Sequence, residues 1–270
     1  MSFAHPVILV FDSGLGGLTV LREIQKARPD ARYVYLADNA FFPFGDLPET
    51  VLIDRVVTLI GEMITRHRPD LVVIACHTAS TLVLPALRAA YTTPFIGTVP
   101  AIKPAAETSR SRIIGILATA GTAKRDYTRA LIDEFAGDCK VIIHSPMQLA
   151  ARAEAFLRGE SVDDAAILAD IAPCFIEENS RRTDTLVLAC THYPLLLDAF
   201  KRVAPWPVTW IDPAPAIARR VVQLIGAVMG APVLASENSA LFTSDAALTV
   251  PLSAALAEFG LPVIKTVTVD

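Results

Sequence analysis

The sequence predicts an α/β fold of two similar parallel-sheet units with the active site in the cleft between them. Two observations carry this. Apolar runs alternate with helical stretches along most of the chain, the pattern of parallel strands covered by helices. One phrase also occurs twice: Asp70-Leu-Val-Val-Ile-Ala-Cys76-His-Thr and Asp184-Thr-Leu-Val-Leu-Ala-Cys190-Thr-His, each placing a thiol six positions after an aspartate. The apolar part of each copy reads as a buried strand, so the thiol falls at its carboxyl end, which in open α/β sheets faces the ligand crevice.

In order, residues 7–11 form an apolar strand that breaks into Asp12-Ser13-Gly14-Leu15-Gly16-Gly17 and a helix to about residue 27. A second strand, 32–36, leads through Asp38 to the loop Phe42-Pro43-Phe44-Gly45-Asp46, and a helix over 48–67 precedes the first cysteine strand. A helix over 81–91 and a short strand over 94–97 follow. The second unit opens in the same way, with a strand over 112–117, the turn Ala118-Thr119-Ala120-Gly121-Thr122 and a helix to about 135. A strand over 141–144, helices over 149–156 and 163–178 and the second cysteine strand over 185–189 complete it. Pro205 and Pro207 punctuate the return, after which a strand over 209–212 and the tail resume. The expected arrangement is a discontinuous first domain, 1–98 plus 209–270, with 99–208 inserted and hinges near Val99 and Pro207.

With 270 residues, 53% of them hydrophobic, two cores can be filled. The apolar stretch 246–264 is interrupted by Pro251, Glu258, Gly260 and Pro262, so it reads as a buried helix and strand rather than a membrane span. A net charge of −4 and a pI near 5.8 give no footprint for nucleic acid. No secretory signal is legible at the N-terminus. The four cysteines, Cys76, Cys139, Cys174 and Cys190, show no metal-ligand spacing. Reduced thiols and a cytoplasmic location are the expectation, with no metal and no membrane association. Cys139 and Cys174 read as packing thiols.

The Asp12–Gly17 turn lacks the third glycine of a dinucleotide fingerprint and the Gly-Lys-Ser/Thr of a P-loop. Its glycines instead offer close backbone approach and amides suited to a carboxylate. Ser13, Thr78, Thr119, Thr122 and Thr191 occupy comparable turns, where a capping hydroxyl and a ligand-binding hydroxyl share one geometry. No lysine stands beside either cysteine to anchor pyridoxal phosphate, so the thiols carry the chemistry and no cofactor is expected. Helix N-termini lower thiol pKa values, and Asp12 and His192 are candidate partners for the two thiols.

Together Phe11-Asp12-Ser13-Gly14-Leu15-Gly16-Gly17, Pro43-Phe44-Gly45, Ala75-Cys76-His77-Thr78-Ala79-Ser80 and Ala189-Cys190-Thr191-His192-Tyr193-Pro194-Leu195-Leu196 resemble the glutamate racemases of the aspartate/glutamate racemase superfamily. The resemblance implies cofactor-independent interconversion of L- and D-glutamate for peptidoglycan synthesis, in a homodimer with substrate held between two domains. It implies that Cys76 takes the α-proton of D-glutamate and Cys190 that of L-glutamate, assisted by Asp12 and His192. It further implies that Ser13, Gly45, Thr78, Thr119, Thr122 and Thr191 bind substrate; Asp38 and Glu154 match acidic family positions less well. Two departures stand out. His77 replaces the usual Asn and Phe44 the usual Tyr, so His77 is expected to bind substrate and to titrate near pH 6–7. Alternatives are a racemase for aspartate or another amino acid, a hydrolase or lyase using Cys190 and His192 alone, and a regulatory relative such as a gyrase inhibitor.

Overall fold

The computed structural model describes residues 5–246 and 248–268. The outermost residues of the expected first domain, 1–4 and 269–270, and Ala247 in the apolar tail therefore lie outside the described residues. Two parallel sheets organise the chain. The first contains β1 (Val7–Asp12), β2 (Arg32–Ala37), β3 (Leu71–Ile74), β4 (Phe95–Gly97), β11 (Ser239–Phe242) and β12 (Val263–Thr266) in the order β12-β11-β2-β1-β3-β4. The second contains β5 (Ile113–Ala118), β6 (Lys140–His144), β9 (Thr185–Ala189) and β10 (Thr209–Ile211) in the order β10-β9-β5-β6. Read from β2 and from β6, the two sheets share one winding, so β1 corresponds to β5, β3 to β9 and β4 to β10.

One strand pairs on the other side of the expected division of the chain. Residues 209–211, assigned from sequence to the first unit, pair in parallel with β9, Trp210 opposite Leu186. The chain leaves the second sheet after β10 and enters the helix Ala214–Ile225, which packs on the first. The pairing is natural because β10 is the edge strand that β4 is in the first sheet.

Period-two alternation fills a core on each side of each sheet. On β1, Ile8 and Val10 face one cluster, Leu9 and Phe11 the other. Helices α1 (Leu18–Ala27) and α10 (Ala214–Ile225) cover the first face, and α2 (Glu49–His67) and α3 (His77–Ala90) the second. On β9, Leu186 and Leu188 face one core and Val187 and Ala189 the other. The repeated aspartates do matching work. Asp70 accepts the Val7 amide at the start of β1 (2.8 Å), and Asp184 accepts the Arg110 and Ser111 amides just before β5 (both 2.8 Å). A fully buried ion pair, Arg28 with Asp30 (2.8 Å), joins the end of α1 to the carbonyls of Ile225 and Gly226 at the end of α10. The guanidinium holds the Asp30 carboxyl down to about 2.

Three other expectations change. The helix after β5 divides into α5 (Ala120–Ala123) and α6 (Asp126–Phe135), between α4 (Ile102–Thr108) and α7 (Leu149–Leu157) in chain order. The helix expected over 163–178 stops as α8 (Asp164–Ile171), since Pro173 turns the chain through a 3-10 segment, Ala172–Cys174. A hairpin of β7 (Glu177–Glu178) and β8 (Arg181–Arg182) follows, with Asn179 and Ser180 at φ 50° and 60°, the left-handed pair of a type I′ turn. The tail forms α11 (Val250–Glu258) and β12, yet α11 buries only its Leu252 and Leu256 face and β12 is a half-exposed edge. The remaining helix is α9 (Leu197–Val203). Among the described residues no helix is long and apolar enough to cross a membrane.

Candidate active site

Both sheets direct the carboxyl ends of their central strands toward one enclosed cavity of about 30 Å³. Ser13, Phe44, Gly45, Cys76, His77, Thr78, Thr119, Cys190, Thr191 and His192, all expected from sequence, line it, as do Phe42, Pro43 and Ala150. A larger concavity, about 540 Å³, lies elsewhere, against the crossing segments, with a mostly apolar wall that includes Val99, Pro100, Ile211 and Pro213. It contains neither thiol.

Cys76 caps α3, which begins at His77, four residues before its expected start. Its thiol lies 3.7 Å from Ser13 Oγ. Burial pushes this thiol up to about 12, reinforced by the Asp12 charge, while the Ala79 amide of the helix start opposes the shift. The expected lowering by the helix N-terminus is therefore present but outweighed, because the surrounding protein buries the thiol and disfavours the thiolate. Asp12, at the end of β1, accepts hydrogen bonds from the Gly14 amide (3.1 Å) and Thr191 Oγ1 (2.9 Å), so it bridges the units. Burial raises its carboxyl above the ordinary value against the pull of His192 and Thr191. It does not line the cavity but braces the turn behind it, as does Tyr35, whose hydroxyl donates to Gly14 O (2.6 Å).

On the other side Cys190 Sγ lies 3.8 Å from His192 Nδ1, and His192 Nε2 lies 2.8 Å from Glu154 Oε1. Glu154, on α7, also accepts the Leu15 amide (2.6 Å) and an Arg158 N–H (2.5 Å). Burial opposes both charges here, but the hydrogen bonds prevail. His192 is raised well above its ordinary value by Cys190 and Glu154, and Glu154 is lowered by His192, the Leu15 amide and Arg158. Glu154 thus joins the site more firmly than its sequence match suggests. Asp38 does not: it is buried against Arg55 (2.9 Å) and Thr243 (2.7 Å), under the loop that leads to Phe42.

Three hydroxyls form a triangle beside the cavity. Thr78 Oγ1 stands 2.9 Å from Thr119 Oγ1 and 3.4 Å from Thr122 Oγ1, and Thr119 and Thr122 are 3.1 Å apart. Thr122 is fully buried behind Thr119 and does not line the cavity, contrary to a direct substrate contact in this closed form. Glycines permit the approach of the two units. A β-carbon on Gly121 would stand 3.0 Å from Thr78 Cγ2, and one on Gly16 would stand 2.6 Å from both Thr191 Oγ1 and the His192 amide nitrogen. Phe42 lies over the His192 ring at 5.3 Å between centroids.

His77 is buried, with Nε2 3.4 Å from Thr98 Oγ1 and Nδ1 without a partner among the described residues. Burial pushes it down to about 3, so the ring is neutral at any pH well above that value. This corrects the expected titration near pH 6–7. The pH–rate profiles of the parent and His77→Asn are expected to superimpose between pH 6 and 8, measured as kcat/KM. A limb near 6.5, where a free imidazole titrates, present in the parent alone would show that the ring meets solvent during turnover.

The comparisons agree with this geometry. The family model described as Asp/Glu/Hydantoin racemase matches residues 18–221. Glutamate racemases of Brucella canis and Brucella anthropi are each 58% identical over 221 and 223 residues, covering 82% of this chain and 80% of theirs. Among solved structures, Escherichia coli glutamate racemase in complex with L-glutamate and the activator UDP-MurNAc-Ala superposes with a TM-score of 0.90 at 38% identity, covering 98% of this chain and 99% of that one. A glutamate racemase isoform from Bacillus anthracis gives 0.77 at 28% identity, with 99% and 98% covered. Two like-wound parallel sheets that bring a pair of thiols to one cavity, and relatives this similar over most of the chain, make it a member of the Asp/Glu/Hydantoin racemase family.

Proposed function

We propose that this protein interconverts L- and D-glutamate without a cofactor, using Cys76 and Cys190 as acid and base on opposite faces of the α-carbon. The observation that carries this reading is the presence of both thiols at corresponding strand ends in one cavity, each with its own polar partner. One cysteine as thiolate takes the α-proton, leaving a planar carbanion stabilised by the adjacent carboxylate, and the other thiol returns a proton to the opposite face. The positive charge of the substrate ammonium offsets the Asp12 charge that raises Cys76. Ser13, Thr78, Thr119 and Thr191 and the Gly45 backbone are the proposed donors to the two carboxylates, with His77 Nδ1 as a further contact. His192 and Glu154 serve the Cys190 side.

A cavity of about 30 Å³ holds roughly two water molecules. Glutamate is larger, and in this reading the units part to admit it. We assign the moving bodies as residues 1–98 plus 212–270 and residues 99–211, turning about the two crossing segments. Assembly as a homodimer and supply of D-glutamate for peptidoglycan complete the proposal.

Circular dichroism of purified protein with either enantiomer tests it. Both solutions should converge on zero signal with no added cofactor, and dialysis against a chelator should leave the rate unchanged. Conversion of aspartate in preference to glutamate would move the substrate assignment to another member of the family. Dependence on an added metal or cofactor would overturn the mechanism.

A further inference from the structure

We propose that Arg158 is a positioning residue for the half-reaction of Cys190, holding Glu154 in the one orientation that supports His192. The inference deepens the two-thiol reading and rests on it. Arg158 follows α7 and lies one turn beyond Glu154, with its side chain only 23% exposed. Its Nη2 donates to Glu154 Oε2 at 2.5 Å, while Glu154 Oε1 takes the Leu15 amide at 2.6 Å and faces His192 Nε2 at 2.8 Å. Both carboxylate oxygens are therefore committed, and rotation of the carboxylate would break a charge-assisted hydrogen bond at each end. Arg158 accepts a cost for this contact, since its Nε is buried without a partner among the described residues.

The groups that act on Glu154 define what Arg158 does there. His192 meets it from the cavity side, the Leu15 amide and the Arg158 cation act on it as well, and its own charge is felt by Asp12 on β1 and Tyr35 on β2. Arg158, Glu154, His192 and Cys190 thus form a line of alternating partners that ends on one thiol. Cys76 has a different surround, with Ser13 Oγ at 3.7 Å and the Asp12 charge. A lone cation after a helix C-terminus would also be explained by the helix dipole, but that role needs no contact with Oε2 and no link to either thiol.

The asymmetry supplies the test. Mirror-image substrates have equal free energy, so any variant must lower kcat/KM equally in the two directions. Primary deuterium isotope effects, measured separately with α-deuterated L- and D-glutamate, are free to differ. Arg158→Gln should reduce kcat/KM roughly tenfold, below the 10²–10⁴ of a general acid–base group itself. It should raise the isotope effect for the enantiomer deprotonated by Cys190, assigned as L-glutamate, and lower that for the other. Arg158→Lys, which keeps the charge, should restore most of the rate and both isotope effects. If the rate falls while the two isotope effects stay put or move together, Arg158 only caps the helix and the inference fails. A parent protein that racemises glutamate while Arg158→Gln matches it in every measurement also defeats the inference and leaves the two-thiol reading intact. Failure of the parent to racemise glutamate removes both.

Discussion

Cys76→Ser and Cys190→Ser are each expected to slow glutamate racemisation by roughly 10³-fold or more, within the range for removal of a general acid–base group. Serine nearly matches cysteine in size, so both buried positions remain filled and folding should be preserved. What changes is acidity. Even raised to about 12, the Cys76 thiol is more acidic than a serine hydroxyl would be in the same buried place. Each variant retains one working face. In deuterated water Cys190→Ser should exchange the α-proton of D-glutamate alone, and Cys76→Ser that of L-glutamate alone, both read by proton NMR. Racemisation near the parental rate in either variant would remove that cysteine from the mechanism.

Gly16→Ala is expected to cost about 10²-fold in kcat/KM although it adds one methyl group and removes no polar atom. The new carbon would sit 2.6 Å from the His192 amide nitrogen and from Thr191 Oγ1, inside contact distance of backbone that cannot rotate away. Relief requires the two units to part by about an ångström, a displacement of the kind that costs that factor when reacting groups are misaligned. The same shift would lengthen the Thr191 to Asp12 bond (2.9 Å) and the Thr19 Oγ1 to Thr191 O bond (3.1 Å), both of which cross between the units. Thermal unfolding should show a folded but less stable variant, and a parental kcat/KM would mean that the closed contact is not the working state.

The repeated cysteine phrase, the glycine turn and the threonine turns were legible because each places its polar residues directly after a run of buried apolar ones. β10 was misassigned because its three residues are half-exposed and follow two prolines, which look like a boundary when the strand to be paired is out of sight. The β7–β8 hairpin carries only charged, exposed residues and closes through Asn179-Ser180 rather than a glycine, so no periodicity announces it. Glu154 sits in Ala-Arg-Ala-Glu-Ala, which on its own reads as a helix surface. Only the packing of α7 behind His192 makes it a buried partner. The Cys76 and His77 protonation states escaped for a related reason: sequence shows the helix start that favours a thiolate, but desolvation comes from groups distant along the chain.

The aspartates at the head of each cysteine phrase never approach the cavity, yet they act as a datum from which the thiols are measured. Asp70 grips the amide that begins β1, and Asp184 grips the two amides ahead of β5, so each cysteine strand is pinned to its neighbour six residues before its thiol. Side chains on a strand alternate in facing, and a slip by one residue reverses them all. An inserted or deleted residue between the pin and the thiol would turn the sulfur toward a covering helix while leaving composition, charge and hydropathy almost unchanged. On the proposed two-thiol mechanism, chirality at the substrate carbon is handled by two lengths of chain counted from two carboxylates, and the count has to be even and equal on both sides.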